Sequence, residues 1–400
     1  MNKAGKRKII ILILTISGIG IASYLWICKR GDNIPKLHII CDNIKWDRKQ
    51  PCLLTEHFEK VTSDYLDGKI KFRGGVSSRY NKHSYSLKLK EKYPLCGLKA
   101  NKSFILNANY IDKTMMRHKI CYDLFRAMRP ENKAADCRYI NLYLNGQYQG
   151  LYVLMEKLNS KRLELDKNDS MAMIFKDPPV FWGENRIQCK DSGNYFQQEF
   201  PKIEKCDKSA YMEKFMDFLF HASDSLFAEE IGQWVDIDNI IDWQLLLLYT
   251  NNGDGVMKNF FLYKQNASTP FRIAPWDYDH SFGRDGDYEL NMLDNIVECE
   301  RAILIKRLEE IPELNYEQRL QTRWKQLRDN EIFSVSSFKK MIRDNDRTIH
   351  KSIRENEQKW PYNSPDYNDA NSYRQELKLM KTYIQKRIPQ LDNRFHYVKK

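Results

Sequence analysis

At 400 residues the chain is too long for one simple domain and short for three, and 42% apolar with 12% aromatic residues excludes general disorder. The net charge of +12 points towards nucleic acid until it is located: half of it lies in the first 30 residues, which hold six basic residues and no acid. The remainder, thinly spread, gives no support to a DNA or RNA partner, and the lack of a short repeat excludes fibrous and solenoid architectures.

Ile9 to Ile27 is a run of 19 uncharged residues dominated by Ile and Leu. At a rise of about 1.5 Å per residue such a run suits a transmembrane helix. Lys3 to Lys8 precede it and Trp26-Ile27-Cys28 offers no small-residue cleavage site. The expectation is therefore an uncleaved single-pass anchor, with the N-terminus cytoplasmic and the main domain extracytoplasmic. The nine cysteines show no Cys-x-x-Cys pair, which argues against structural zinc; if any bridge forms, Cys41 with Cys52 is the simplest expectation.

After a linker containing Pro35, alternating text predicts strands at Lys36–Cys41, Gly68–Arg73, Ser84–Lys90 and Ser103–Leu106, with a small-residue turn at Arg73–Ser78. Met116, Ile120, Leu124 and Met128 recur every fourth position, predicting a helix over Met115–Arg129 that Pro130 stops. Tyr139–Leu144 and Tyr148–Met155 flank Asn145-Gly146, the residue pair that a tight hairpin turn favours. Residues 160–205 are polar and read as an irregular insertion or the edge of a second sheet. Helices follow at Ala210–Phe227 and Asp238–Tyr249, and a hairpin at Phe260–Tyr263 and Phe271–Ile273. Four further helices are predicted at Ile303–Ile311, Tyr316–Arg328, Val335–Asn356 and Tyr373–Leu391. A sheet-rich first half and a helical second half make an α+β pattern.

Two segments carry candidate chemistry. Thr250–Asn259 leaves an apolar helix through a Gly-rich turn, and Pro275–Gly283 leaves the last hairpin strand with Asp277 and Asp279 between aromatic residues. Carboxylates with an amide oxygen suit a hard cation such as Mg²⁺. Asp254 and Asn259 have the spacing of a kinase catalytic loop, although Asp and Asn are also ordinary turn residues.

Four blocks in order then carry a resemblance: Arg73-Gly74-Gly75-Val76-Ser77-Ser78, Lys82 to Leu89, Asn145 to Glu156, and Pro275-Trp276-Asp277-Tyr278-Asp279. Over about residues 35–345 the chain resembles the spore-coat protein H (CotH) kinase family. That resemblance implies an atypical two-lobed protein-kinase-like fold using ATP and Mg²⁺ to phosphorylate Ser or Thr of a protein substrate. It implies a sheet-rich nucleotide-binding lobe over 31–158, a catalytic lobe over 159–345 and a helical extension over 346–400, behind the tail and anchor of 1–30. Asp254 and Asp277 would be catalytic; Asn259, Asp277 and Asp279 would hold metal. Lys88, with Lys82 as the alternative, Arg73 and Glu156 would contact the nucleotide. Two other readings stand beside it: a catalytically silent surface adhesion or scaffold protein on the same fold, and a nucleotidyl transferase that uses the same residues to move AMP.

Overall fold

The computed structural model describes residues 34–58, 61–183, 194–284, 293–364 and 371–399. Strands β1 (Lys36–Ile40), β2 (Gln50–Phe58), β3 (Val61–Thr62), β4 (Leu66–Arg73), β5 (Ser84–Tyr93), β6 (Asn101–Asn107), β7 (Cys137–Leu144) and β8 (Gln147–Glu156) make one sheet in the order β1-β7-β8-β6-β5-β4-β2-β3. β1 also pairs with β2, so seven strands close into a barrel and β3 hangs from its rim. Every pairing is antiparallel except β1 with β7. Closure removes the unpaired edges that an open sheet would leave.

The inward positions, among them Leu37, Leu54, Ile70, Leu87, Phe104, Ile140 and Leu154, form a core of their own. The outer face differs around the ring. On β5 the apolar residues alternate with exposed Lys88 and Lys90, because that side meets solvent. On β8 seven consecutive residues, Gly150–Glu156, are buried, because helices cover the outside. The β7–β8 hairpin turns through Asn145 (φ 48°) and Gly146 (φ 78°), the left-handed pair that matches strand twist.

A second sheet, ordered β10-β9-β11-β12, is built from β9 (Met173–Lys176), β10 (Gln198–Phe200), β11 (Phe260–Lys264) and β12 (Arg272–Pro275). The helices are α1 (Arg117–Met128), α2 (Ser209–His221), α3 (Asp224–Trp234), α4 (Ile237–Thr250), α5 (Ile303–Glu310), α6 (Tyr316–Asp329), α7 (Val335–Lys359) and α8 (Tyr373–Arg394); α4 lies against β12 and α7 against β8 of the barrel. Their apolar faces share one core with the outer face of β6, β7 and β8 through Ile105, Tyr139, Val153 and Met155. α4 is buried along nearly its whole length, as its Leu245–Leu248 run demands.

Several expectations need correction. The two-lobed kinase-like fold gives way to a closed barrel with helices against one side of it. The strand that makes the difference, β2, joins β1 to β4 and has no clean alternation in Gln50–Phe58. The predicted helix over Ala210–Phe227 is two helices, because Ser223 caps the second by accepting the Leu226 N–H at 3.3 Å. No bridge joins Cys41 and Cys52: both are free, buried thiols, and burial, with the Cys41 thiol adding, pushes Cys52 up to about 12. The anchor expected over Ile9–Ile27 lies outside the described residues. Among those described no helix is long and apolar enough to cross a membrane, so they do not support the expected single-pass membrane placement.

Candidate functional site

The site grows from the open end of the β11–β12 hairpin. Phe260 pairs with Pro275, so Asn259 and Asp277 lie just beyond the last rung, on the two strands. Both are left-handed, at φ 63° and 57°, a conformation Asn and Asp tolerate better than bulkier residues. The Trp276 N–H donates to the Asn259 carbonyl at 2.9 Å, and the Asn259 Nδ2 donates to the Asp277 carbonyl at 3.2 Å. The Asp277 N–H donates to the Tyr122 hydroxyl on α1 at 3.0 Å. Trp276 and Tyr278 are buried, yet the Asp277 side chain is 52% exposed. The aromatic residues therefore clamp the backbone and leave the carboxylate facing out.

Three side chains converge there. His118, on α1 and only 1% exposed, brings its Nε2 within 3.1 Å of Asp277 Oδ1. One ligand atom from each of His118, Asp277 and Asp279 lies within 4.8 Å of the others. Desolvation by the surrounding protein pushes the Asp277 carboxyl upward, but the His118 hydrogen bond and charge, with Arg73 and Lys176 behind them, outweigh it and hold the group at about 2. Asp279 goes the other way: burial and the Asp277 charge raise it. For His118, burial lowers the ring, while the bond to Asp277 and the charges of Asp279, Asp277 and Asp112 more than compensate and raise it. Two carboxylates and an imidazole, with one carboxylate held back from ionising by its neighbour, are a donor set that fits a divalent cation.

A basic row leads up to this cluster. On the outer face of the barrel, Arg73 of β4 faces Ser84 of β5, Lys71 faces Ser86, and Lys69 faces Lys88. The Arg73 guanidinium stands 5.8 Å from the centre of the Trp276 ring, next to Asp277. Lys49 belongs to the same surface: its ammonium is lowered first by burial, then by the charges of Lys157, Lys88 and Lys71. Such a surface, ending at a carboxylate cluster, is suited to an anionic chain with a cation at one end.

The other expected residues lie as follows. Asp254 is 43% exposed, ion-paired with Lys258 at 3.0 Å, and outside the converging triad. The turn that holds it uses Asn251 as a left-handed cap on α4 and the Asn252 side chain as acceptor for the Gly255 N–H at 3.0 Å. Glu156 is buried, paired with Arg162 at 3.0 Å, and accepts the Asp136 N–H at 3.3 Å. Lys82 is fully inside: its ammonium donates to the Ala108 and Leu151 carbonyls at 2.8 and 2.6 Å and to Asn356 Oδ1 at 3.1 Å. Lys88 instead projects outward along the basic row.

Sequence reading missed His118. A lone His on an apolar helix reads as a core residue, and only its spacing of four from Tyr122 hinted that both face the Asp277 loop. Behind it, buried Arg117 ties Asp112 at 2.6 Å, the Ser281 carbonyl at 2.9 Å and Glu376 at 3.0 Å, fixing α1, the 277–284 loop and α8 to one another.

Comparison with known proteins agrees with the resemblance in the sequence. The chain belongs to the family described as CotH kinase protein, whose profile matches residues 70–391. It is 25% identical over 229 residues to the inner spore coat protein H of Bacillus subtilis (strain 168), a match covering 56% of this chain and 62% of that relative.

Proposed function

We propose that this member of the CotH kinase family is an ATP-dependent phosphotransferase that modifies Ser or Thr of a protein with the help of a divalent cation such as Mg²⁺. The observation that carries this reading is the convergence of His118, Asp277 and Asp279 at the end of the basic row Lys69-Lys71-Arg73. A polyphosphate laid along the barrel face would meet Lys88 and Arg73 and end at the carboxylates. A cation held by Asp277 and Asp279 would neutralise charge on phosphate oxygens, the main demand of phosphoryl transfer. Arg73 supplies further positive charge beside Asp277. Asp254 must exchange its Lys258 partner for the acceptor hydroxyl if it is to take that proton.

That ion pair is also the observation favouring a second reading, a structural coat-type protein without activity, in line with the name of the Bacillus relative. The test is the full chain with Mg²⁺ and ATP labelled separately at the α and γ positions. Label transferred to protein only from the γ position, and lost by at least about a hundredfold in Asp277→Asn, supports the reading. Transfer of the α label makes the chain a nucleotidyl transferase, and no transfer of either label leaves the structural role.

A further inference from the structure

The donor set says more about the cation than the family resemblance does. Mg²⁺ takes oxygen ligands almost exclusively and keeps several waters, whereas imidazole nitrogen suits first-row transition ions, and Mn²⁺ accepts both carboxylate and imidazole. We infer that His118 is a direct ligand, through Nε2, of a cation site shared with Asp277 and Asp279, and that this site prefers Mn²⁺ to Mg²⁺. The inference rests on the cation site of the proposed function but not on phosphate transfer.

The geometry supports ligation. Adjacent ligands of an octahedral ion with bonds of about 2.1 Å are about 3 Å apart. His118 Nε2 and Asp277 Oδ1 are 3.1 Å apart, and the third donor is within 4.8 Å, so a small rotation of Asp279 closes the set. The Asp279 side chain keeps 21% exposure, with His280 Nε2 4.0 Å from its Oδ1. His118 itself is held rigidly: it sits inside α1, edge-on to Tyr122, with Nδ1 3.4 Å from Asn109 Nδ2. When Nε2 takes the cation, the ring's one proton moves to Nδ1, and the Asn109 amide must turn its oxygen to meet it, giving up the bond it now accepts from Asn107 Nδ2 at 2.6 Å. The ring proton now shared with Asp277 is thereby exchanged for the ion, and the carboxylate stays charged.

The test is metal binding to the full chain without nucleotide. Loss of the free Mn²⁺ paramagnetic resonance signal is expected to show one tight site, with Mg²⁺ competing only at more than tenfold excess. Pulsed spectra of the bound Mn²⁺ are expected to show coupling to one imidazole ¹⁴N, and His118→Gln is expected to abolish that coupling and weaken Mn²⁺ by tenfold or more. Bound Mn²⁺ without nitrogen coupling, or equal competition by Mg²⁺, overturns the inference and leaves His118 as a hydrogen-bond donor that positions Asp277. Where a His118 variant fails to fold, His280→Gln is the second variant, since His280 Nε2 lies 4.0 Å from Asp279: coupling that survives it belongs to His118, and coupling lost with it overturns the inference. Nitrogen-coupled Mn²⁺ with no phosphate transfer keeps this inference and removes the kinase reading; transfer without nitrogen coupling does the reverse.

Discussion

Arg117 and Glu376 are 259 positions apart in the chain, yet their side chains meet at 3.0 Å with essentially no solvent access. The contact joins the helix that carries His118 to the C-terminal helix. Glu376 also takes Arg284, at the end of the loop that carries Asp277 and Asp279. Removing one partner from a buried ionic cluster leaves charge without compensation. Arg117→Leu, which strips buried Asp112 of this partner and leaves Glu376 to Arg284, is expected to cost about 3–5 kcal/mol in urea unfolding. A cost below about 1 kcal/mol would mean that the neighbouring donors satisfy both carboxylates unaided.

Gly150 is where the long helix α7 docks on the barrel. Its φ is +119°, and a Cβ there would lie 2.7 Å from Asn356 Oδ1 and 3.0 Å from the Trp360 indole nitrogen. Those atoms cannot simply withdraw, because Asn356 accepts the Leu151 N–H at 3.1 Å and Trp360 donates to the Gln149 carbonyl at 2.8 Å. Gly150→Ala is expected to lower stability by about 1–3 kcal/mol through overpacking and backbone strain. Limited proteolysis should also become faster near Trp360; unchanged melting and unchanged cleavage would refute this docking.

The two lysines named for phosphate binding separate cleanly. The Lys82 ammonium has three oxygen acceptors inside the fold, and burial lowers it well below the ordinary lysine range. Lys82→Met is expected to destabilise by at least about 1–3 kcal/mol, because acceptors are left buried and unpaired. Lys88→Met changes an exposed side chain, so stability should stay within about 0.5 kcal/mol while affinity for nucleotide falls. Calorimetric titration with ATP beside a thermal melt distinguishes the two. An unchanged Lys88→Met affinity would show that Arg73 and the cation carry the phosphates without it.

The seam between β1 and β2 is expected to be acid-sensitive. His38 stacks on Tyr143 with centroids 4.4 Å apart and meets His57 at 4.6 Å. Burial lowers His38 below 6.5, with the charges of His57 and Lys36 adding to it. The unfolded chain then binds its proton at a higher pH than the folded one. Stability from this group is full above about pH 6.5 and is lost as pH falls through the lowered folded value. His118 is raised and contributes with the opposite sign, so the wild-type curve mixes the two. The difference between wild type and His38→Gln, melted from pH 7.5 to 5, isolates the seam. A difference that does not shrink towards acid pH would exclude it.

What the sequence determined by itself was local. Asn145-Gly146 specified its hairpin, since both left-handed turn residues are written in adjacent positions. The helices over 117–128, 237–250 and 373–394 followed from apolar spacing and their stops. The order of four short blocks was enough to point to the family that the comparison then showed. Asp277 and Asp279 stood out because carboxylates between aromatic residues are unusual. Barrel closure was decided only in three dimensions, because the β1–β2 and parallel β1–β7 ladders join segments whose register no single strand encodes. The fates of Lys82 and Lys88 were likewise tertiary: both lie in one block, but one points under α7 and the other into solvent. His118 joined the site only because α1, held by Arg117, brings it against a loop 159 positions away. Short-range periodicity records which face of an element is apolar; which distant polar group meets that face depends on packing, and no local pattern contains it.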